Sequence, residues 1–563
     1  MISEVLSQVF GIWYLIGAAL VFFMQAGFAM VEAGFTRAKN VANITMKNTM
    51  DFCLGAVAFL LIGYSLLCGQ GNGFIGWGQN PLLDFAGTDW SLFTFNLVFC
   101  ATTATIVSGA MAERTKFISY CVYSVVISML IYPIEAHWVW GPGGWLTAMG
   151  FHDFAGSAVI HFVGGTCALI GAWMLGPRIG KFSKDGKPNG IPGHNLLLGA
   201  LGVFILWFGW YGFNGAAATN TLQLSTIFAT TTLSPALAAC TAMIYTWIRY
   251  GKPDVAMTLN ACLGGLVAVT AGCDAVNALG ACVIGILAGL VVPFVTWLLD
   301  YKLKIDDPVG AIPVHFGCGI LGTICVGLFA CGTDTMPIPE GLFYGGGFGL
   351  LGKQLLGLLA IGTWTVCTIT LTFLAIKKTL GLRVSAKEEI RGLDFEEHGL
   401  ETGYAGFAME TEMLSDDGET VFVEGGIPEI TLNQAVPATV LGQDSGMHKV
   451  VIVSSIDKFE RLRKELEKIG IGGMTVSNVM GMGVQKGQPV YYKGAEVKSR
   501  LLPKMQAEVV VSKVPVKDVV QAAQKALYTG NVGDGKVFVY PVEEVVRIST
   551  GATGPTALDY ENH

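Results

Sequence analysis

The chain has 563 residues, of which 52% are hydrophobic and only 14% are charged, and its mean hydropathy is +0.55. This balance excludes an ordinary soluble protein for most of the length, because a water-facing surface requires more charge. The formal net charge of −7 argues against nucleic acid as a partner. Near residue 380 the composition changes from apolar and glycine-rich to charged, which predicts a membrane part followed by a water-soluble part.

Eleven apolar runs are long enough to cross a lipid bilayer. In chain order they lie near 9–31, 46–69, 91–111, 117–139, 155–176, 194–213, 226–248, 255–272, 277–299, 310–331 and 343–376. The loops that follow odd-numbered runs carry Lys or Arg, whereas the loops that follow even-numbered runs carry neither. Basic loops remain in the cytoplasm. The pattern therefore predicts a multi-pass protein of the cytoplasmic membrane, with its N-terminus outside and its C-terminal third inside.

Two of the runs contain the same pattern. DFAGSAVIHFVGG begins at Asp153 and DPVGAIPVHFGCG begins at Asp307, so Asp, Gly, His, Phe and Gly recur at equal offsets. The two histidines, His161 and His315, lie on runs 5 and 10. Each half of the repeat contains five runs, and because five is an odd number the second half must be inverted across the membrane relative to the first. Run 11 then lies outside this 5+5 repeat, and its length predicts a tilted helix.

Histidines are costly inside a hydrocarbon layer and mark functional sites there. Inverted repeats are typical of transporters, in which the substrate route follows the interface between the halves. We therefore predict a pore lined by His161 and His315. The alternative for each is a core histidine with satisfied hydrogen bonds, and the repeat makes that reading less favourable.

Aromatic residues occur at the predicted outer mouth of this pore. Phe99 lies on run 3, Trp140 follows run 4, and Phe213 ends run 6. Aromatic faces attract desolvated small cations by about 1–2 kcal/mol each, and Asp153 would add negative potential at the same mouth. Anchoring at the membrane interface is the alternative for a tryptophan such as Trp140.

Five motifs along this part resemble the ammonium transporter family (Amt/MEP/Rh). They are MVEAGFTRAKN (30–40), SGAMAER (108–114), DFAGSAVIHF (153–162), FGWYGFNGAAATN (208–220) and DDPVGAIPVHFGCGILG (306–322). The resemblance implies an all-α protomer of eleven transmembrane helices in a homotrimer, with one narrow pore in each protomer. The implied substrate is ammonium or ammonia.

The resemblance also assigns roles by position. It implies Trp140 and Phe99 as the outer ammonium-binding aromatics, Phe99 and Phe213 as a stacked gate, His161 and His315 as the pore pair, and Asp153 as a structurally essential acid. Where many family members place a serine hydroxyl at the outer site, this chain has Ala217. The missing hydrogen bond should weaken capture by about 1 kcal/mol.

The resemblance further implies that ammonium is recruited as a cation, loses a proton near the gate, and passes the histidines as a neutral molecule plus a proton. A dry pore strongly disfavours an intact ion, and K⁺ has no proton to lose. Selective passage of ammonium over K⁺ is the expected consequence.

The charged third of the chain divides into two segments. Residues 1–400 form the predicted membrane domain with its tail, 401–446 an acidic flexible linker, and 447–563 a separate domain. The last segment reads strand–helix–strand–strand–helix–strand, which is typical of a ferredoxin-like α/β fold. Two glycine-punctuated loops with lysines, at 481–487 and 529–536, resemble phosphate-binding loops.

This segment resembles the PII signal-transduction (nitrogen regulatory) proteins. The resemblance implies a trimer that binds ADP or ATP between subunits, Mg²⁺ with ATP, and in several members 2-oxoglutarate. The implied nucleotide-binding residues are Thr475, Gly481, Gln485, Lys486, Gly533, Asp534, Gly535, Lys536 and Arg547. Gln485 would also bind Mg²⁺, and Gln485 with Lys504 would bind 2-oxoglutarate. Lys493 would lead a loop, the T-loop, into the cytoplasmic end of the pore.

These features predict an ammonium transporter that is gated by its own nucleotide-sensing domain, which docks to the cytoplasmic pore face. An ammonium sensor that signals through this domain with little transport is the alternative. A domain that merely holds the protomers together is a third reading. An enzyme is not expected, because the sequence has no Ser/His/Asp set or metal-ligand cluster outside the pore.

Overall fold

In this computed structural model the described residues are 2–332, 338–400, 446–481, 490–492, 495–497, 502–530 and 534–558. The chain divides into two compact units, Met1–Gly403 and Tyr404–His563, and each is described by itself. The first unit is built from apolar helices, and the second contains a sheet with helices.

Ten helices in the described residues are long and apolar enough to cross a membrane, and an eleventh apolar helix is shorter. In chain order, spans 1 to 11 are Val9–Phe35, Ala38–Cys68, Trp90–Ala110, Phe117–Ala148, Ser157–Leu175, Leu196–Gly215, Thr221–Tyr250, Val255–Thr270, Ala278–Leu303, Ile312–Phe329 and Gly349–Thr379. They correspond one for one with the apolar runs of the sequence. The chain is therefore a multi-pass membrane protein, and the fold class predicted for this part is confirmed.

The α-helices of the first unit are Ile2–Phe35, Val41–Ala58, Tyr64–Cys68, Trp90–Ala110, Phe117–Val126, Tyr132–Trp140, Trp145–Ala148, Val163–Leu175, Leu196–Gly215, Thr221–Tyr250, Val255–Thr270, Ala278–Trp297, Cys318–Phe329, Gly349–Thr379, Ala386–Arg391 and Leu393–His398. Segments of π-helix occupy Phe59–Gly63, Ile127–Ile131, Ser157–Phe162, Leu298–Leu303 and Ile312–Gly317. A small hairpin joins β1 (Gln70–Asn72) to β2 (Ile75–Trp77).

Five helices begin at an Asp or Asn whose side chain accepts a hydrogen bond from the first turn. These residues are Asp89, Asn195, Asn220, Asp254 and Asn277. The first turn of a helix leaves N–H groups without helical partners, and a side-chain oxygen satisfies one or two of them. The polar loops of the sequence therefore fix where these spans begin.

Glycines allow spans 1 and 6, the first spans of the two repeat halves, to approach closely. A Cβ at Gly34 would lie 2.5 Å from the backbone nitrogen of Gly199, and one at Gly212 would lie 2.8 Å from the carbonyl oxygen of Gly17. Side chains larger than hydrogen would separate the two helices. Close backbone approach through small residues is a common way for membrane helices to associate.

The second unit contains a four-stranded antiparallel sheet in the order β4-β7-β3-β8. The strands are β3 (His448–Ser454), β4 (Thr475–Gly481), β7 (Leu502–Val511) and β8 (Lys536–Pro541), and a short hairpin pairs β5 (Val490–Tyr492) with β6 (Ala495–Val497). Two amphipathic helices, Phe459–Lys468 and Val516–Leu527, supply apolar side chains to the core of this unit. The ferredoxin-like α/β fold predicted from the sequence is confirmed.

Candidate functional site

An aspartate precedes each histidine-bearing span, and Asp153 is buried whereas Asp307 is partly buried. The carboxylate of Asp153 accepts hydrogen bonds from the backbone N–H groups of residues 156–159, at 2.7–3.1 Å. The carboxylate of Asp307 accepts from residues 310–312, also at 2.7–3.1 Å. Each carboxylate thus satisfies a set of N–H groups that a helix start would leave without partners.

The repeated glycines make these starts possible. Gly156 has φ +108° and Gly310 has φ +85°, in the left-handed region that glycine enters without steric penalty. A π-helical turn follows each, at Ser157–Phe162 and Ile312–Gly317. Such turns are uncommon in proteins as a whole, and many of those known lie at functional sites. The shared sequence pattern therefore encodes one local structure that is used twice.

The two histidines meet in the centre of the unit. Nδ1 of His161 lies 3.2 Å from Nδ1 of His315, and the ring centroids are 5.2 Å apart at an interplanar angle of 25°. His161 is fully buried and His315 is 4% exposed. A hydrogen bond across this contact requires one Nδ1 to donate and the other to accept, so a single proton lies between the two Nδ1 atoms.

Two aromatic rings, which also contact each other, pack against His161. Its ring stacks on Trp210 at 5.1 Å and on Phe213 at 5.3 Å between centroids. The Trp210 indole N–H donates to the hydroxyl of Thr270 at 2.9 Å. Sequence reasoning did not assign Trp210, although it stands inside the motif at 208–220. These contacts fix the orientation of the His161 ring.

The ring contacts continue towards the predicted outer mouth. Phe213 meets Phe99 edge to face at 4.5 Å, and Phe99 lies 6.0 Å from the half-buried Trp140. The Trp140 indole N–H donates to the backbone carbonyl of Asp153 at 2.9 Å. The structure therefore brings five of the sequence-predicted residues into one row of rings: Trp140, Phe99, Phe213, His161 and His315.

Two predicted residues have other surroundings. Both carboxylate oxygens of Asp153 accept hydrogen bonds from backbone N–H groups at the start of span 5. The carboxylate therefore stabilises the start of this helix more directly than it acts on the predicted outer mouth. Ala217 is exposed and lines an open depression with Tyr14 and Asp89. The Tyr14 ring lies 4.3 Å from Phe95, which lies 4.3 Å from Phe99. The depression thus adjoins the aromatic row.

Charged residues of three sequence motifs form a cluster near the ends of the spans. Arg178 pairs with Asp306 at 2.8 Å and with Glu113 at 3.1 Å, and Arg37 also pairs with Glu113. Burial alone would raise the pKa of the Asp306 carboxyl, but Arg178 and Arg114 outweigh it and hold that pKa below its usual range. These motif residues therefore act as a clamp between loops.

The tail after span 11 contacts span 2. The carboxylate of Asp394 accepts from the backbone N–H groups of Ala42 and Asn43 at 3.0 and 2.8 Å. Asn43 also lies 3.0 Å from the His398 ring nitrogen. The segment that leads into the predicted linker is thus fixed to the start of a membrane span.

In the second unit, several predicted nucleotide residues flank the end of β3. Gly535 has φ +129°, and a Cβ there would lie 2.4 Å from the Val453 carbonyl oxygen. Lys536 on β8 pairs with Val453, while Lys504 on β7 reaches the Ser455 hydroxyl at 3.2 Å. Two lysines beside a glycine with no room for a side chain fit a phosphate-bearing ligand.

Asp534 stabilises the loop that precedes β8. Asp534 accepts from the Lys458 ammonium at 2.7 Å and from the Thr529 backbone N–H at 2.6 Å. Burial opposes ionisation, but these partners outweigh it and lower the pKa of Asp534. Arg547 donates to the Ala557 carbonyl at 3.1 Å. These contacts position the loop for its neighbours Gly535 and Lys536.

The remaining predicted residues divide between the far edge of the sheet and undescribed positions. Thr475 and Gly481 begin and end β4, which is the edge strand opposite β8. Three strand spacings, about 14 Å, separate those edges. Gln485, Lys486, Lys493 and Gly533 lie outside the described residues, as does nearly all of the predicted linker at 401–446.

Comparisons with known proteins give two family matches. The model of the Ammonium Transporter Family matches residues 12–404, and the model of Nitrogen regulatory protein P-II matches residues 447–552. The chain is 46% identical over 429 residues to Ammonium transporter Amt2 of Archaeoglobus fulgidus, covering 71% of this chain and 90% of that protein.

Solved structures are also similar. One described as "Sensor Amt Protein" is 36% identical, with a TM-score of 0.66, and the match covers 70% of this chain and 99% of that one. Mep2 of Candida albicans is 27% identical, with a TM-score of 0.62, and the match covers 70% of this chain and 89% of that one.

Proposed function

The chain belongs to the ammonium transporter family and carries a PII domain fused to its membrane part; from this premise we propose that it moves ammonium across the cytoplasmic membrane through a pore centred on His161 and His315. The similarity to Ammonium transporter Amt2 supports transport rather than an enzymatic reaction. The single observation that carries the pore assignment is the 3.2 Å contact between the two Nδ1 atoms inside a row of buried rings.

Recruitment takes place at the outer end of the row. The faces of Trp140 and Phe99 attract the ammonium cation, and each face contributes about 1–2 kcal/mol once water is excluded. Asp153 acts mainly by starting span 5 and by receiving the Trp140 indole through its carbonyl. It thereby positions the recruiting ring.

Deprotonation follows at the gate. Phe99 and Phe213 are 2% and 1% exposed, so an intact cation would lose its hydration without gaining a counter-charge. Ammonium divides into ammonia and a proton, and the two recombine beyond the histidines. Because K⁺ cannot divide in this way, the same barrier excludes it.

The histidine pair carries the separated species. A neutral imidazole both donates and accepts, so ammonia can exchange hydrogen bonds with the rings as it passes. The Nδ1 contact provides a route by which a proton leaves one ring and arrives on the other. Stacking on Trp210 and Phe213 keeps His161 in the orientation that this contact requires.

Regulation is assigned to the PII domain at 447–563, which the linker at 401–446 would connect to the membrane domain at 1–400. The nucleotide residues lie on opposite edge strands, β4 and β8, so they converge only where one copy meets the next. The resemblance to PII proteins implies that this contact occurs in a homotrimer, with ADP or ATP between its PII domains. Gln485 would bind Mg²⁺ with ATP, and Gln485 with Lys504 would bind 2-oxoglutarate.

Gating would take place when the T-loop enters the pore from the cytoplasm, led by Lys493. Tethering raises the effective concentration of the docking surfaces to the millimolar range. The distribution of Lys and Arg among the loops supports this arrangement, in which the PII domain and the pore exit would be cytoplasmic and the N-terminus outside. Nucleotide state would then decide whether the pore is open.

A second candidate function is ammonium sensing with little transport. It is favoured by the 36% identity to a protein described as a sensor, and by Ala217, which offers no hydroxyl at the outer mouth. The two functions differ in turnover at saturating ammonium. A sensor would bind ammonium and change the state of its PII domain without a sustained current.

The test uses the full chain in proteoliposomes. We expect an ammonium current in the wild type that K⁺ does not support, and its loss, or entry of K⁺, in the double variant His161→Leu, His315→Leu. His137→Gln is the matched control, because that buried histidine bonds the carbonyls of Leu67 and Asn72 outside the ring row. Unchanged selective current in the double variant would refute the pore assignment.

The regulatory part has its own test. Ammonium current is compared with ADP, with Mg-ATP and with Mg-ATP plus 2-oxoglutarate, in the full chain and after deletion of 447–563. We expect nucleotide-dependent current in the full chain only. Equal currents in all of these conditions would exclude gating by the PII domain.

A further inference from the structure

A small, partly open cavity adjoins His315, and neither His161 nor Phe213 lines it. Its volume is about 20 Å³, which is room for a single water-sized molecule. The lining is apolar except for three side chains, Glu32, Asn260 and His315. Ammonium and ammonia are of this size, so the space can hold one of them.

Glu32 is the charged residue of this lining, and its carboxylate is oriented by two neighbours. Its Oε2 accepts from the Ser108 hydroxyl at 2.8 Å and from the Asn48 amide at 3.3 Å. The residue is 3% exposed. Both hydrogen bonds fall on the same oxygen, so Oε1 keeps its lone pairs for an occupant of the cavity.

No protein cation pairs with Glu32 within the described residues. The candidate is Lys47 on span 2, but its ammonium lies over the Tyr120 ring, 5.5 Å from the centroid, and forms no ion pair there. The other nearby acid, Asp51, is engaged by the hydroxyls of Thr105 and Ser124. A buried carboxylate in this state requires a proton or an external cation.

Asn260 supplies a second acceptor. Its amide nitrogen donates to the Val309 carbonyl at 2.9 Å. The amide oxygen takes no part in that bond and can accept one from an occupant of the cavity. Together with the ring of His315, the lining offers acceptors of the kind that the N–H groups of ammonium require.

We propose that this cavity is an inner binding site for one ammonium ion, with the Glu32 carboxylate as its counter-charge. The inference rests on the proposed function: ammonia that leaves the histidine pair forms a new N–H bond with the proton that travelled separately, and the resulting cation is held by Glu32. From the cytoplasm, the same site captures ammonium before it enters the pore in the opposite direction.

The first measurement is binding, independent of transport. Melting of the full chain in detergent is followed in ammonium chloride and in sodium chloride of equal concentration, in a Trp140→Leu background that removes the outer aromatic site. We expect ammonium to raise Tm in this background, since a ligand that binds only the folded state stabilises it. Glu32→Gln should abolish that rise, and Glu32→Asp should restore part of it.

Asp51→Asn is the matched control. It makes the same change, carboxylate to amide, at a buried acid that also accepts from two side chains but does not line the cavity. We expect it to lower Tm and to keep the ammonium-dependent rise. If Glu32→Gln also keeps the rise, Glu32 is only a structural acceptor for Ser108 and Asn48, and the inner site is refuted.

The second measurement is sided transport in vesicles sorted by the orientation of the PII domain. Glu32→Gln should raise the half-saturating ammonium concentration on the PII-domain side by roughly tenfold, and should leave that on the opposite side unchanged. Equal values on the PII-domain side for variant and wild type would overturn the proposal. A wild type without current would refute the transport function alone, because the melting measurement still decides whether the inner site exists.

Discussion

His161 and His315 stand at equal positions in two copies of one sequence pattern, yet their surroundings differ. His161 stacks on both Trp210 and Phe213, which also contact each other, whereas His315 has Phe28 at 6.2 Å between ring centroids and also lines the small cavity. The repeated sequence pattern thus gives both histidines the same local backbone structure, while the spans that face them give the two rings different surroundings. His161 adjoins Phe213 of the proposed gate, and His315 adjoins Glu32 in the proposed inner site.

The largest expected effect tests the shared backbone. Replacing Asp153 by Ala removes the acceptor of four buried N–H groups, and replacing Asp307 by Ala removes the acceptor of three that are partly buried. At about 1–3 kcal/mol for each unsatisfied buried group that water does not reach, both variants should unfold at much lower temperature, Asp153→Ala more so. Thermal unfolding in detergent measures the difference. Equal stability of Asp153→Ala and wild type would contradict the assigned role.

The titratable residues beside Asp153 and Asp307 should make the stability of the protein depend on pH in opposite directions. His152, beside Asp153, is partly buried, which disfavours its charge, but Asp274 at 3.0 Å outweighs this and raises the pKa of His152. Its contribution is fully present below the unfolded-state pKa of about 6.5 and is lost as pH rises through the folded-state pKa. Tm of the wild type should therefore fall on the alkaline side, and His152→Gln should flatten that fall.

Asp306, beside Asp307, gives the opposite sign. Burial is outweighed by Arg178 and Arg114, so the folded-state pKa is below the ordinary one. The stabilisation is present above about pH 3.9 and is lost as pH falls towards the folded-state pKa. Asp306→Asn should lose about 3 kcal/mol at neutral pH, because it leaves Arg178 with one partner fewer, and should flatten the acid-side decline. A parallel acid-side curve for variant and wild type would exclude this pair as its source.

Single histidine variants sharpen the functional contrast. We expect His161→Ala to reduce ammonium current by about 100-fold, since it breaks both the gate contact and the pair, and His315→Ala by about tenfold, since Glu32 remains beyond it. Currents of purified variants in proteoliposomes at matched protein density provide the comparison. Equal losses would show that the two rings act as one unit with no division of tasks.

The smallest expected effect comes from the support of one ring. Thr270→Val removes the acceptor of the Trp210 indole N–H and should lower stability by about 1 kcal/mol. Trp210 stacks on His161 and does not line the cavity beside His315. The half-saturating ammonium concentration on the outer side should therefore change, while that on the PII-domain side should not. Thr323→Val on span 10, whose hydroxyl bonds only its own helix at Gly319, is the control.

Much of the fold could be predicted from the sequence because the bilayer imposes a simple rule. Apolar runs separated by Asp89, Asn195 or Asn220 became spans with those residues as caps, since backbone groups in lipid must be satisfied within the helix. The alternating strands and two amphipathic helices of the C-terminal unit were equally legible.

The site was only partly predictable. The motif spacing identified His161 and His315, and the resemblance identified Phe99, Phe213 and Trp140. Glu32 and Trp210 were missed, although both lie inside quoted motifs, because an acid or a tryptophan in an apolar run has the same sequence signal whether it faces a pore, a neighbour or lipid.

Taken alone, the sequence determined the spans, the doubled Asp–Gly–His pattern and the two-part organisation, since these depend on hydrophobicity and on local backbone preference. Only the tertiary structure decided that the two imidazoles meet through Nδ1, that Trp210 supports one of them, and that Glu32 opens onto the space beside the other. Those relations join residues on different spans, and they depend on how the helices approach one another, which no local pattern records.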